Sequence, residues 1–372
     1  MQRIIGSKIR QLREERGLTQ EELAQSIGLS SEFISHLELG KRSPSLDSLS
    51  HIANFFGKKM SFFLPERHDE FAELSSRLGK EQTISKELKI FKDYCYQYIK
   101  LEEMTGRRLF LAPLYSENDA EKIAKDERRR LGMGNEPVRD IFTLIERNGL
   151  RVFLSPLPET QKIWGIFLFL EQQQAAFAWI NSLLPEETQI FIAAHEYAHY
   201  IKDREDGVII DNPDIFVHEY VSLYPGREGF AQMFASRFLM QPEKVEDILK
   251  NDLKTKKPAL EHIFYLKRYF GISFLDTLYA LKDMKMLSSI KYMEYSESSS
   301  RMTEEMIFRQ GGKYKILAGK SRRWKSERFI SLVLSAYRKK KINIREASRL
   351  LKIPFKEFQR MASQYDFSAG QS

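Results

Sequence analysis

The sequence contains very little cysteine. Cys95 is the only one among 372 residues, so an internal disulfide bond is excluded. A zinc site built from several cysteine thiolates is excluded for the same reason. Any metal ion that this chain holds therefore needs histidine and carboxylate ligands.

Long apolar runs are missing as well. The longest strongly apolar stretch, residues 163–170, is far too short to cross the hydrocarbon core of a bilayer. Charged residues such as Arg3, Lys8 and Arg10 recur near the N-terminus, where a signal peptide would have an apolar core. Hydrophobic residues make up 42% and charged residues 30% of the chain, as in ordinary globular proteins. We therefore expect a cytoplasmic protein of two or three folded domains that is not associated with a membrane.

The positive charge is unevenly distributed along the chain. Residues 301–372 contain 18 Lys/Arg and 6 Asp/Glu, a net charge of +12, whereas the whole chain has a net charge of +8. A basic tail of this size can neutralise nucleic-acid phosphates. It can equally be the solvated face of a group of helices, and the sequence leaves both interpretations open.

The hydrophobic periodicity predicts a mainly helical chain with one small β-sheet, which is an α+β fold class. Residues 1–65 have the pattern of five short helices joined by tight turns. Short strands are predicted at 150–154, 165–170 and 175–180, and the last two form a hairpin. A polar loop of roughly 25 residues is predicted after the helix that ends near Ile201.

One short motif points to a metal: His195-Glu196-Tyr197-Ala198-His199. Two histidines four residues apart on a helix project from the same face, so both imidazoles can bind one zinc ion. Glu196 lies beside them and can take a proton from water that the metal activates. The motif lies within an apolar helix, where polar side chains need a partner. The sequence therefore predicts a zinc site in which Glu196 is the general base.

A tetrahedral zinc site needs a third protein ligand. Glu228 is the leading candidate, because it begins a later helix whose small residues, Ala231 and Ala235, face the place where the two helices would meet. His218 and Glu219, in the intervening loop, are rival ligands or groups that could stabilise an oxyanion. A glutamate at the start of a helix is also favoured by the helix dipole alone. The residues by themselves leave these alternatives open.

The stretch from about Ala120 to Leu287 resembles the ImmA/IrrE family of metallopeptidases. The matching pieces are Arg-Arg-Leu-Gly at 129–132, a strand after Gly149, a hairpin ending at Asn181, the His-Glu-Tyr-Ala-His helix, and Glu-x-x-Ala-x-x-Phe-Ala-x-x-x-Leu-Met at 228–240. Two features depart from the family pattern. Gln241 stands where the family usually has proline, and the loop between the two motifs is fairly long.

This resemblance implies a function for the four residues. His195, His199 and Glu228 would bind one Zn²⁺ per chain, and Glu196 would be the catalytic base of a gluzincin-like zinc metalloendopeptidase. Members of the family typically cut a helix-turn-helix repressor and so lift repression. The resemblance therefore implies a regulatory protein as the substrate.

The N-terminal region contains a second motif. Thr19 and Glu22 form a capping-box signature that starts one helix, and Ser30 can cap the next helix after a sharp turn at Gly28. Over residues 4–63 the sequence closely resembles the phage-repressor-like (XRE/Cro) helix-turn-helix family. In such domains the second helix of the motif enters the major groove of DNA.

The same resemblance assigns DNA contacts to six residues. They are Gln20, Lys41 and Arg42 for the DNA backbone, and Ser31, Glu32 and His36 for base edges. Glu32 could accept a hydrogen bond from a cytosine amino group, or it could be a capping or solvated residue. Residues 1–65 have a net charge of only +2. We therefore expect a homodimer or the basic tail to strengthen binding to an operator.

Residues 341–358 repeat the helix-turn-helix pattern more faintly. Small helical pairs of this kind can bind DNA, but more of them pack against a neighbouring element, and we favour packing. The patterns together divide the chain into four regions. They are the helix-turn-helix domain at 1–65, a helical connector at 66–115, a zincin-like metallopeptidase domain at 116–290, and a basic helical C-terminal region at 291–372.

The sequence thus predicts a DNA-binding transcriptional regulator that hydrolyses a peptide bond in a partner such as a repressor or an antitoxin. Two alternatives remain open. In the first, the chain is a non-proteolytic transcription factor whose peptidase-like domain is a sensor or a dimerisation unit. In the second, the chain cuts itself within residues 65–108 and releases its DNA-binding domain.

Overall fold

The computed structural model describes six stretches of the chain. They are residues 2–63, 69–78, 82–157, 163–211, 226–299 and 326–369. The chain forms two compact units, Met1–Asp69 and Glu70–Ser372, and apolar cores lie within each of them. The predicted α+β class is confirmed, because the described elements are mostly helices together with one small mixed sheet. No helix in these stretches is long and apolar enough to cross a membrane.

The first unit is built from short helices, as its sequence predicts. They are α1 (Gln2–Glu15), α2 (Gln20–Ile27), α3 (Ser31–Glu38), α4 (Leu46–Phe56) and α5 (Met60–Phe63). The predicted capping box is present: the Thr19 hydroxyl accepts from the Glu22 amide, and the Glu22 carboxylate accepts from the Thr19 amide at 2.7 Å. Gly28 turns the chain after α2 with a φ of +70°, which glycine adopts without strain. Ala24 and Ile34 are buried in the core that joins α2 and α3.

The second unit begins with four helices. They are α6 (Glu70–Leu78), α7 (Gln82–Thr105), α8 (Ala120–Arg130) and α9 (Ile141–Arg147). The apolar stripe on α7, which includes Phe91, Cys95 and Tyr98, is fully buried and belongs to the same core as Trp179. The helix that the sequence assigns to a connector therefore packs within the second unit. The boundaries of the four predicted regions stay a prediction.

The sheet of the second unit has four strands. They are β1 (Leu150–Ser155), β2 (Gly165–Leu170), β3 (Ala175–Asn181) and β4 (Val208–Asp211), in the order β1-β3-β2-β4. β1 is parallel to β3, and β2 is antiparallel to both β3 and β4. The three predicted strands are present, and β2 and β3 form the predicted hairpin. β4 corrects the prediction of a continuous polar loop after Ile201.

Further helices follow the hairpin. They are α10 (Glu186–Lys202), α11 (Arg227–Leu239), α12 (Pro242–Asp247), α13 (Leu260–Phe270), α14 (Phe274–Asp283), α15 (Ser289–Ser299), α16 (Glu327–Arg338), α17 (Ile344–Leu351) and α18 (Phe355–Ala369). Short 3-10 and π-helical turns lie at Arg204–Asp206 and Ile248–Asp252. The departure from the family pattern at Gln241 is accommodated, because its buried amide donates to the Arg237 carbonyl and Pro242 starts α12.

Helices cover both faces of the sheet. Successive residues of a strand point to opposite faces, so Phe167 and Ala178 join the core that contains α10 and α11, whereas Ile166 and Trp179 join the core that contains α7 and α16. This double coverage explains why the strands are continuous apolar runs rather than alternating patterns.

The C-terminal helices α17 and α18 pack in the core that contains α7 and α16. Ile342, Ala347, Leu351 and Phe358 are buried there. This burial supports the packing interpretation of residues 341–358 over the DNA-binding one. The basic segment between residues 300 and 325 lies outside the described residues.

Candidate metal centre

Two histidines of α10 form the centre of the candidate site. His195 and His199 are one helical turn apart and completely buried, and their Nε2 atoms are 3.1 Å from each other. The helix places both rings on the face that looks toward β4 and α11. Two imidazole nitrogens that approach this closely in a dry interior can bind a common cation.

Glu228, in the first turn of α11, reaches the same point. Its Oε2 atom lies 3.4 Å from Nε2 of His195 and 3.4 Å from Nε2 of His199. α10 and α11 pack against each other, and small residues of both helices are completely buried in the same core: Ala194, Ala198, Ala231 and Ala235. The structure thus brings together the three residues that the sequence proposes as ligands. The rival candidates, His218 and Glu219, lie outside the described residues.

Asp211 is a fourth member of the cluster, and no motif in the sequence marks it as a ligand. Its Oδ2 atom is 3.4 Å from Nε2 of His195, and its Oδ1 atom is 3.9 Å from Nε2 of His199. One ligand atom from each of His195, His199, Asp211 and Glu228 lies within 4.8 Å of the others. In the sequence, the apolar run Val-Ile-Ile before Asp211 could have indicated a short strand that ends at this residue, since such a run is typical of a strand.

His199 is oriented by a carboxylate outside the cluster. Its Nδ1 atom lies 3.0 Å from Oδ2 of Asp203, one turn further along the chain. Carboxylates commonly hold metal-binding histidines in this way and fix the nitrogen that faces the metal. Burial alone would favour the neutral imidazole, but hydrogen bonds to Asp203 and Glu228 raise the pKa of His199 to about 10.

Glu196 lies beside the ligands and is also completely buried. Burial and the neighbouring carboxylate of Asp211 raise its pKa well above the ordinary value. Burial likewise disfavours charge on Glu228, but hydrogen bonds from His195 and His199 lower the pKa of that carboxyl. The site therefore contains two kinds of carboxylate, one held ionised by the histidines and one pushed toward its neutral form.

Gly165, at the start of β2, makes room for Glu196. A Cβ atom at this position would overlap Oε1 of Glu196 and would lie 2.9 Å from Cγ2 of Ile192. Glycine therefore allows the Glu196 carboxylate to lie directly against the backbone of the sheet. This role could not be read from the sequence, where Gly165 marks only the start of a predicted strand.

The donor set fits a divalent cation. None of the carboxylate oxygens of Glu196 and Asp211 accepts a hydrogen bond from an N–H or hydroxyl donor among the described residues, and all are buried. The two carboxyl groups lie within hydrogen-bond reach of each other. Buried carboxylates are costly unless a positive charge or a metal compensates them. Two imidazoles and three carboxylates in one buried place therefore form a site that can hold a metal ion.

Side chains of α8 contact α10, the helix that carries the two candidate histidine ligands. Glu127 accepts hydrogen bonds from the Tyr197 hydroxyl and, at 2.5 Å, from Nη2 of Arg130. Arg128 is buried and donates to backbone carbonyls, including that of Phe238 at the end of α11. These contacts link the Arg-rich end of α8 to both helices that contribute ligands.

The residues expected to contact DNA lie around α2 and α3 of the first unit. Ser31 and Glu32 are exposed in the first turn of α3, and His36 is half-buried one turn later. Lys41 is exposed just beyond α3. Gln20 begins α2 and donates to Glu38 at 2.8 Å.

Arg42, the second basic residue after α3, contacts an aromatic ring of that helix. Its guanidinium lies over the ring of Phe33, 5.0 Å from the centroid. The predicted base-reading residues are therefore on the outward side of α3, and the two basic residues follow at its end. This is the arrangement that a major-groove helix needs.

Comparison with protein families identifies two regions. A family model described as helix-turn-helix matches residues 9–63. A peptidase family model described as the IrrE N-terminal-like domain matches residues 145–282, which include all four members of the cluster. The two matches agree with the two resemblances that the motifs indicate.

Two relatives in sequence match only a small part of the chain. An uncharacterized HTH-type transcriptional regulator of Sinorhizobium fredii is 40% identical over 57 residues, which cover 15% of this chain and 74% of the relative. The immunity repressor protein of Bacillus phage phi105 is 32% identical over 80 residues, which cover 21% of this chain and 56% of the relative. A solved structure of a Mycobacterium tuberculosis transcriptional regulator is 16% identical and covers 50% of this chain and 52% of that one, with a TM-score of 0.30. That score is too low to support an argument from structure.

Proposed function

Because the chain belongs to the XRE-type helix-turn-helix transcriptional regulators and carries an IrrE N-terminal-like peptidase domain, we propose that it binds operator DNA and hydrolyses a peptide bond in a regulatory partner. The partner would be a helix-turn-helix repressor or an antitoxin-like protein. One observation carries this proposal: His195, His199 and Glu228 converge on a single buried point with Glu196 beside them.

Zinc is the metal that this ligand set suits best. Two imidazoles and one carboxylate are a common zinc ligand set in peptidases. When bound, zinc supplies the Lewis acidity that polarises the carbonyl of the scissile bond and acidifies a water molecule. His195, His199 and Glu228 would hold the ion, and Asp203 would keep Nε2 of His199 turned toward it.

Glu196 would move the proton in the reaction. Its carboxylate takes a proton from the attacking water and later gives one to the leaving amine. Burial and the Asp211 carboxylate raise the pKa of Glu196 above its ordinary value. Gly165 keeps this carboxylate against the sheet and beside the ligands.

Substitution of Glu196 by glutamine tests the mechanism. The zinc-loaded chain and its Glu196→Gln variant would be incubated with helix-turn-helix repressors, starting with one encoded beside its own gene, and the products identified by mass spectrometry. We expect the variant to retain zinc and to lose cleavage, because glutamine cannot accept the proton. Glu205→Gln, an exposed glutamate on the turn after α10, is the matched control and should cut normally. Full cleavage by Glu196→Gln would contradict the mechanism.

The first unit would deliver the peptidase to its operator. We propose that Ser31, Glu32 and His36 read base edges, while Gln20, Lys41 and Arg42 contact the DNA backbone. The low net charge of this unit supports a homodimer, in which two units add their phosphate contacts. Operator DNA is available in the cytoplasm, and we propose that compartment for the protein.

A non-proteolytic regulator is the second candidate. The observation that favours it is the burial of the cluster, because Glu196 and both histidines are completely inaccessible to solvent. In this case the domain is a sensor or a dimerisation unit, and regulation in cells would be unchanged in Glu196→Gln. Cleavage of the chain itself between residues 65 and 108 would instead appear as a shortened chain after incubation with zinc.

A further inference from the structure

We propose that Asp211 is a fourth protein ligand of the metal and that it fills the coordination position that a zinc peptidase keeps for water and substrate. The resting site would then be latent, and Asp211 would have to leave before a peptide bond could be cut. The inference rests on the proposed zinc site and adds a regulatory element to it.

The ligand separations match a four-coordinate site. In a tetrahedron with metal–ligand bonds of about 2.0–2.1 Å, the ligand atoms are about 3.3–3.4 Å apart. The separations of Glu228 from the two histidines are 3.4 Å each. The separation of Asp211 from His195 is also 3.4 Å, and its separation from His199 is 3.9 Å. Glu228 reaches both histidines with one oxygen, Oε2, whereas Asp211 faces His195 with Oδ2 and His199 with Oδ1. One ligand atom from each of the four residues lies within 4.8 Å of the others.

Asp211 is fixed in this place by the sheet. It is the last residue of β4, is paired with Gly165 of β2, and its backbone carbonyl accepts a hydrogen bond from the Trp164 amide at 2.9 Å. Its side chain lies on the same face of the sheet as that of Ile209, two residues earlier, and this is the face that packs on α10. The strand thus aims a carboxylate into the cluster.

The Asp211 carboxylate needs a cation in this environment. It is completely buried, neither oxygen accepts a hydrogen bond from an N–H or hydroxyl donor among the described residues, and the Glu196 carboxyl group lies within hydrogen-bond reach. Two adjacent buried carboxyl groups can both be ionised only when a positive charge lies between or beside them. A metal ion bound jointly with the histidines supplies that charge.

Closure by a fourth protein ligand changes what the site can do. Catalytic zinc sites keep one position open, whereas sites with four protein ligands are structural and inert. β4 is an edge strand of the described sheet and pairs with β2 as its one neighbouring strand there, while Arg77 of α6 donates to the Val208 carbonyl of β4 at 2.7 Å. An edge strand is the part of a sheet that a partner can most readily pair with or displace. Movement of the end of β4 would therefore open the fourth position.

Cobalt(II) spectroscopy with azide tests the closed site without any substrate. The full chain, Asp211→Ala and Asp211→Asn would be loaded with cobalt(II), and the visible absorption spectrum would be followed while azide is added. We expect no response from the native chain, because no position is open. We expect both variants to bind azide with a change in spectrum, and to bind cobalt roughly tenfold or more weakly, since even outer-shell substitutions cost that much.

Asp203→Asn is the matched control. Its carboxylate contacts His199 from the Nδ1 side and lies outside the ligand cluster, so the substitution should weaken metal binding without creating an azide response. A native chain that binds azide as readily as Asp211→Ala overturns the inference. A folded, cobalt-loaded Asp211 variant whose visible spectrum does not change when azide is added also overturns the inference. A native chain that binds neither cobalt nor zinc removes the proposed zinc site itself, which is a distinguishable result.

Discussion

The carboxylate of Glu196 occupies the space that a side chain at position 165 would need. Gly165→Ala should therefore displace the proposed base while leaving the ligands in place. We expect kcat/KM for partner cleavage to fall about a hundredfold, and the free energy of unfolding to fall by about 1–3 kcal/mol from overpacking against Ile192. Zinc content should stay unchanged. Cleavage at the native rate would show that Glu196 does not depend on this space.

Lys41 gives a residue-scale test of the DNA-binding face. Its side chain is exposed just after α3 and, as a proposed phosphate contact, it should contribute affinity without sequence preference. We expect Lys41→Ala to weaken binding to operator and non-operator DNA alike and to reduce the slope of log affinity against log salt by about one. Lys59→Ala, an exposed lysine of the same unit with no proposed contact, is the control. A loss confined to the operator would contradict the assignment.

Several residues of the site could be predicted because each has a local signature. The histidines, Glu196 and Glu228 follow from spacing on two helices together with a family pattern, and the structure brings them together. Asp211 and Gly165 could not be predicted, since their roles depend on the pairing of β2 with β4, more than 40 residues apart in sequence. A strand of four residues gives too short a pattern to indicate that pairing.

At the scale of elements, α9 and β1 share a buried acid. Glu146 of α9 accepts a hydrogen bond from the Val152 amide at 3.2 Å, and burial raises its pKa to about 7 from an ordinary value of 4.5. Between pH 4.5 and 7, Glu146 is therefore protonated in the folded chain but ionised in the unfolded chain. Stability should accordingly fall as the pH rises through that window and become level above it.

Glu146→Gln removes the titrating group while keeping an oxygen that can accept the same hydrogen bond. We expect the variant to be more stable than the native chain above pH 7, by roughly 2–3 kcal/mol, and to lose the decline between pH 4.5 and 7. Urea unfolding followed by tryptophan fluorescence measures this, because Trp164 and Trp179 both belong to the second unit. Parallel pH profiles for the two proteins would contradict the assignment.

The elements themselves follow from the sequence to different degrees. The helices of the first unit were predicted closely because caps such as the Thr19–Glu22 box and Gly28 mark their ends. The apolar stripe of α7 indicated packing, but not that α7 and α16 cover the same face of the sheet. That arrangement depends on contacts between distant parts of the chain, which periodicity does not record.

At the scale of the whole molecule, the proposed metal ligands and the proposed DNA contacts lie in different compact units. Removal of zinc by a chelator should therefore lower the thermal midpoint of the second unit, because bound metal stabilises only the folded state. Operator affinity of the full chain should stay unchanged. The thermal midpoint is measured by tryptophan fluorescence on heating, and the operator affinity by fluorescence anisotropy of labelled DNA. A loss of operator affinity on chelation would show that the metal site also controls DNA binding.

The central claim is that His195, His199 and Glu228 hold one zinc ion, and the zinc content of the purified full chain tests it most directly. Elemental analysis should find about one zinc per chain, and a His199→Ala variant, which removes one ligand and leaves α10 intact, should contain almost none. A native chain that contains no zinc and takes up none when zinc is added, or a His199→Ala variant that retains a full equivalent, would contradict the account.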